Sequence, residues 1–149
     1  AVEAKRAHRS LWSLHRDAYP PKLKAMLETA ERVNSGARYA AACAARVEAQ
    51  KRFATLFDGI DVVLAPEAPG AAPLDLTQTG DPRANLLFTH VRAPVVSLPA
   101  RLSPDGLPLG LQCAAPAGAD ATVLAATQVI EDVLGFDATP PLLSSENCH

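Results

Sequence analysis

The chain has 149 residues, the length of about one domain. Apolar residues make up 48% and charged residues 20%, which provides for a core burying roughly two thirds of the unfolded surface and excludes wholesale disorder. With 14 Lys and Arg against 16 Asp and Glu the net charge is −2, which excludes the basic footprint that nucleic-acid binding needs.

Three cysteines, Cys43, Cys113 and Cys148, lack CxxC spacing, so a disulfide framework and a zinc finger are excluded and a reducing, cytoplasmic setting is expected. No apolar run reaches the ~20 residues of a bilayer helix, and no membrane association is expected. The 13 prolines are unevenly spread: Pro20 and Pro21, none until Pro66, then many. That shift divides the chain into a helical front, residues 1–58, and a mixed α/β back, residues 59–136, with an extended or mobile tail at 137–149.

In the front, Ala4, Ala7, His8, Leu11, Leu14 and Ala18 recur at helical spacing and predict a helix that Pro20 and Pro21 terminate. Leu23, Met26, Leu27 and Ala30 form the stripe of a second helix, with Glu28 four residues before Arg32 for a surface pair. Ser35 is the expected N-cap of a third, whose seam is Tyr39, Cys43, Val47, Phe53 and Phe57 and which stops near Asp58 and Gly59. His8 and His15 lack a third ligand at helical spacing, so no metal site is expected.

The back opens with an apolar run at 61–65 (DVVLA), read as a buried strand in an α/β sheet. The loop at 66–83 is rich in Pro, Gly and Ala and long for a structureless connection, which marks it as a functional rim beyond a strand end. Two runs at 95–102 and 107–115 flank Ser103-Pro104-Asp105-Gly106 and predict a hairpin, with the prolines producing edges or bulges. Asp120 is the expected cap of a last helix with the stripe Val123, Leu124, Thr127, Ile130 and Leu134, ended by Gly135.

The order of these segments resembles the carboxyl-terminal part of the amidase signature family. The resemblance rests on residues 57–66 (FDGIDVVLAP), on Thr79-Gly80-Asp81-Pro82 with Asn85 and Thr89, and on residues 93–99 (APVVSLP) followed by 106–112 (GLPLGLQ). The last pair is the most specific, because order and spacing agree over twenty residues. Arg92 departs from the family, which usually carries a small residue there, often glycine.

The resemblance implies one portion of an α/β/α sandwich over residues 1–136. It implies a parent that cleaves carboxamides to acid and ammonia through an acyl-serine, without a cofactor. The resemblance implies a nucleophilic serine, a bridging serine and a lysine, with the lysine and the nucleophile's Gly/Ser-rich stretch lying before the matched region, and this chain has no such stretch. Lys5, Lys22, Lys24 and Lys51 all lie in the helical front, and no catalytic residue is assigned. Asn85, Thr89 and Gln112 are the candidates for substrate contact; backbone hydrogen bonding is the alternative role for each.

The chain is accordingly expected to be inactive alone. Its expected partners are a missing amino-terminal catalytic portion, a small-molecule amide in the parent, and further copies of itself through an exposed sheet edge. A general amidase and the ammonia-generating component of a tRNA-dependent amidotransferase fit equally. A stand-alone α/β binding or scaffold domain is the competing reading, and a thiol enzyme using Cys43 or Cys113 is the weakest, since both lie on apolar faces.

Overall fold

The computed structural model describes residues 2–33, 36–75 and 77–138. The expected cap Ser35, the Arg32 side chain of the expected surface pair, Cys148 and nearly all of the tail lie outside the described residues. Clustering of contacts divides the chain into two units, Ala1–Glu48 and Ala49–His149.

The first unit is helical. The expected first helix is two, α1 (Val2–Ala7) and α2 (Arg9–His15), separated at His8. His8 leaves helical geometry at φ −89° and ψ 3°, and its Nδ1 lies 2.8 Å from the Tyr19 hydroxyl. A 3-10 turn at Arg16–Ala18 follows, and Tyr19 is extended, the backbone that a following proline demands. Trp12 meets Tyr19 edge to face at 5.2 Å, and the Arg16 guanidinium covers the Trp12 ring.

Pro21 opens α3 (Pro21–Val33), where its missing N–H costs nothing. Leu27 and Ala30 of its stripe are buried, but Met26 is exposed. Glu28 pairs with Arg16 at 2.8 Å. Helix α4 (Gly36–Ala54) begins in this unit, and Tyr39 ties it to α1 by donating its hydroxyl to Glu3 and by lying under Arg6. Val47, expected on the α4 seam, is 50% exposed.

The second unit begins with the end of α4, a 3-10 turn at Thr55–Phe57, and Gly59 at φ +78°. Three strands then form one antiparallel sheet in the order β1-β3-β2: β1 (Val63–Pro66), β2 (Val95–Leu102) and β3 (Pro108–Ala114). Strand β1 begins two residues later than expected and alternates between half-buried and exposed positions instead of being buried throughout. As an edge strand of the described sheet it shows Leu64 to solvent.

The hairpin matches the sequence. Gly106, at φ +76°, donates its N–H to the Ser103 carbonyl, and Ser103 Oγ accepts the Leu107 N–H. Pro99 is paired with Gly110 and Arg101 with Leu109, so the ladder slips by one residue beside the proline. That bulge is where a missing N–H is tolerated.

Helices cover both sheet faces. On one, Ala114 packs with Phe53, Phe88 and Val91. On the other, Cys113 and Ala115 pack with Val123 of the last helix, Asp120–Leu134. The α/β/α layering expected of the chain is therefore present around β3, and it explains why the strand shows no clean polar and apolar alternation: Gln112, Cys113 and Ala114 are all buried.

Helix α5 (Arg83–Val91) follows the rim loop and fills a stretch to which the sequence analysis assigns no element. Of its apolar stripe, Phe88 and Val91 belong to the first core cluster and Ala84 is half-buried. Arg92 closes it at φ 59° and ψ 37°, the sole non-glycine residue with positive φ among those described. The family's small residue at this position has a backbone reason: Arg92 N–H donates to Thr89 and Ala93 N–H to Phe88, the paired bonds of a left-handed helix end.

Two details of the last helix, α6 (Asp120–Leu134), differ from expectation. Ala119 occupies the cap position and makes no side-chain cap bond, so Asp120 is the first helical residue and acts through the helix dipole instead. Leu124 is 61% exposed, because the buried stripe runs through Val123, Thr127 and the half-buried Ile130. Gly135 ends the helix in the left-handed region at φ +54°, donating to the Glu131 carbonyl.

Candidate functional site

The loop at 67–82 leaves the carboxyl end of β1 and returns to the amino end of α5. It encloses, with β3, a cavity of about 580 Å³. Glu67, Pro73, Thr79, Asp81, Asn85 and Gly110 are among its walls. The loop is held by local bonds. Asp75 accepts the Thr77 N–H, the Thr77 hydroxyl and the Gln78 amide, and these donors hold its carboxyl below the usual carboxylate range. Asp81 accepts the Arg83 N–H at 2.9 Å and forms an ion pair with the Arg83 side chain at 2.6 Å.

Glu67 continues the β1 ladder by donating its N–H to the Gly110 carbonyl at 3.0 Å. Its side chain folds over Gly110 so closely that a methyl group there would overlap the carboxylate. Glycine at 110 leaves the space that the carboxylate occupies, and no hydrogen-bond donor among the described residues meets that carboxylate.

The three sequence candidates separate. Asn85, in the first turn of α5, lines the cavity. Thr89, one turn further, is exposed and outside the lining. Gln112 is fully buried beneath the rim, two residues from Gly110 on the same face of β3. Its Nε2 donates to the Pro66 carbonyl at 2.8 Å and to the Ala84 carbonyl at 3.1 Å, joining the end of β1 to the start of α5. Two acceptors on one side fix the amide orientation, and leave Oε1 buried without a donor among the described residues.

Sequence reasoning misses Glu67 and Gly110. Glu67 is the one charged residue between Pro66 and Leu74, a signal that the sequence does carry. The Gly110 contact depends on strand register and has no local signal. Of the described thiols, Cys113 is buried, which raises its pKa despite the Thr127 hydroxyl, and Cys43 is half-buried on α4. Among the described residues no three His, Cys, Asp or Glu are grouped as metal ligands, and no helix is long and apolar enough to cross a membrane.

Comparison with known proteins places this geometry. The Amidase family model matches residues 2–124. A glutamyl-tRNA(Gln) amidotransferase subunit of Maricaulis maris (strain MCS10) is 38% identical over 111 aligned positions, covering 70% of this chain and 23% of the relative. A putative amidase, AmiD, of Mycobacterium tuberculosis (strain H37Rv) is 26% identical, covering 95% of this chain and 32% of the relative. A crystal structure of an amidase superposes with a TM-score of 0.78 at 27% identity, over 90% of this chain and 33% of that one. A bacterial aryl acylamidase of the amidase signature enzymes shares the fold, with a TM-score of 0.63 at 23% identity over 93% of this chain and 34% of that one. The chain spans about a quarter to a third of the length of these proteins. On the extent of the family match and the agreement of fold, this chain belongs to the amidase signature family.

Proposed function

We propose that this chain is the carboxyl-terminal part of an amide hydrolase that converts a carboxamide to acid and ammonia through an acyl-serine intermediate, and that it does not act alone. In this reading residues 1–136 complete an amidase domain whose nucleophile, bridging serine and lysine lie in an amino-terminal portion, the chain's principal partner. The chain contributes one part of the substrate rim, with Asn85 as a contact residue and Gln112 as a positioning residue, while Thr89 lies outside the cavity lining. The exposed edges β1 and β2 join that portion, or another copy of the chain when it is missing. The reaction needs no cofactor and takes place in the cytoplasm.

One observation carries the reading. The hairpin built from APVVSLP and GLPLGLQ, the most specific family segments, supplies Pro108 and Gly110 to a cavity whose wall includes Asn85, and its Gln112 holds the Ala84 carbonyl next to Asn85. The cavity lies beyond the carboxyl end of a strand, where α/β sheets bind ligands. Relatives include proteins named as amidases and as amidotransferase subunits, so the proposal stops at amide cleavage.

The test is ammonia release from a panel of aliphatic and aryl carboxamides. It compares the 149-residue chain with the product of the complete reading frame to which it belongs. Release by the longer product and none by the chain is the expected result. Turnover by the chain alone, or a reading frame that starts directly before Ala1, would overturn it.

A further inference from the structure

The rim cavity has an unbalanced chemistry. Its lining holds two carboxylates, and that of Asp81 is neutralised by Arg83. The carboxylate of Glu67 has no such partner among the described residues, and it is half-buried against the strand. Outside the lining, Gln112, fully buried and held to the carbonyls of Pro66 and Ala84, carries an oxygen that no donor among the described residues reaches. Pro66 and Ala84 directly precede the lining residues Glu67 and Asn85 in sequence. Acceptors are in excess, and buried acceptors in native proteins are rarely left without a donor.

The position of Glu67 is built. A side chain at 110 would displace its carboxylate, so the strand keeps a glycine at the cost of weaker intrinsic strand propensity. Pro69, Pro73 and Pro82 restrict the loop around the cavity, which limits how far the carboxylate and its surroundings rearrange on binding.

We propose that Glu67 is a specificity residue, selecting substrates that carry a cationic hydrogen-bond donor, an ammonium or amidinium, at a distance from the amide. This rests on reading the rim as part of an amide-substrate pocket. The Glu67 carboxylate receives the cation, Gly110 leaves room for the carboxylate, and Asn85 offers both a donor and an acceptor on the opposite wall. Salt weakens the selection, because the pair is only partly shielded from solvent.

The test is NMR titration of the 149-residue chain with butylammonium, butanamide and butyrate, following the amide signals of Glu67, Asn85 and Gly110. Butylammonium binds about fivefold more tightly than butanamide at low salt, and butyrate binds least. Glu67→Gln equalises butylammonium and butanamide without altering the circular dichroism. Gly110→Ala, which displaces the carboxylate but keeps its charge, reduces the preference as well. Equal binding by the unmodified chain, absence of binding, or a preference that survives Glu67→Gln would overturn the inference. Binding of butanamide without a preference for the cation overturns the role of Glu67 alone and leaves the amide reading to the ammonia assay.

Discussion

Gln112 donates its side-chain amide to the backbone carbonyl of Ala84, 3.1 Å away, and so ties the central strand to the first turn of α5. The second proton reaches the Pro66 carbonyl at 2.8 Å. Both bonds are part-buried and made by a fully buried side chain, so losing the donor leaves two partly shielded carbonyls without their partner. Gln112→Leu keeps comparable bulk and lowers the unfolding free energy by about 2–3 kcal/mol. Urea denaturation measures it; a loss below about 0.5 kcal/mol would mean that these bonds contribute little.

The same relationship predicts a pH-dependent variant. Glu at 112 donates only when protonated, and as a carboxylate it faces two carbonyl oxygens in a buried site. Its folded pKa then rises above the unfolded value of about 4.3. A raised carboxyl pKa contributes stability below the unfolded value that is lost as pH rises. Gln112→Glu is accordingly closest to the unmodified chain at pH 4 and falls away from it towards pH 7. A difference between the two proteins that stays flat over this range would contradict the geometry.

Arg92 sits in the left-handed region at φ 59°, a conformation that costs a residue with a Cβ about 1 kcal/mol relative to glycine. Its N–H and that of Ala93 close the end of α5 whatever the side chain. Arg92→Gly therefore raises stability by about 0.5–1 kcal/mol, the gain being trimmed by the greater freedom of glycine in the unfolded chain. Arg92→Val lowers it, since a β-branched side chain fits this region worst. Thermal denaturation of the pair separates backbone strain from any role of the Arg92 charge: a loss of stability in both would point to the side chain.

The legible parts of the fold are those with local punctuation. Ser103-Pro104-Asp105-Gly106 marks the hairpin, and Gly59, Gly106 and Gly135 each have the positive φ that their places at turns and helix ends require. Helix α5 escapes sequence reasoning because it is only nine residues long and Leu86 and Leu87, both exposed, blur a stripe formed by Ala84, Phe88 and Val91. In the site, Asn85 and Gln112 are identifiable as polar residues in recognisable segments. Their division into a cavity wall and a buried strut is not, because the two roles are set by where α5 meets β3. Gly110 beneath Glu67 is beyond sequence reasoning for the same cause: the two are brought together by antiparallel register, over 43 positions of chain (110 − 67).

Cys113 supplies a prediction about reactivity. Burial pushes its thiol pKa up, with the Thr127 hydroxyl opposing the shift weakly. In the folded chain it is therefore slow to alkylate at pH 8, and the half-buried Cys43 reacts before it. The stability consequence has a definite sign. A thiol whose folded pKa is raised contributes stability that is present below the unfolded value of about 8.5 and is lost as pH rises above it. Cys113→Ala removes that alkaline loss. Mass spectrometry of iodoacetamide-treated native protein checks the order of labelling, and denaturation from pH 7 to 10 checks the slope; a slope unchanged in Cys113→Ala would assign it to other groups.

Asn85 and Thr89 share a face of α5 one turn apart, yet only Asn85 lines the cavity. If the rim contacts substrate, the two substitutions diverge. Asn85→Ala, made in the complete reading frame, removes a hydrogen-bonding side chain from the cavity wall and lowers kcat/KM about tenfold, corresponding to one lost polar contact. Thr89→Ala leaves kcat/KM within about twofold, because an exposed hydroxyl outside the lining makes no contact to lose. Neither change should move the melting temperature appreciably, since both side chains are exposed and neither makes a side-chain hydrogen bond to the described residues. Steady-state kinetics on one carboxamide substrate decides the matter: equal losses in both variants would place the substrate along the whole face of α5, and no loss in Asn85→Ala would remove this cavity from the reaction.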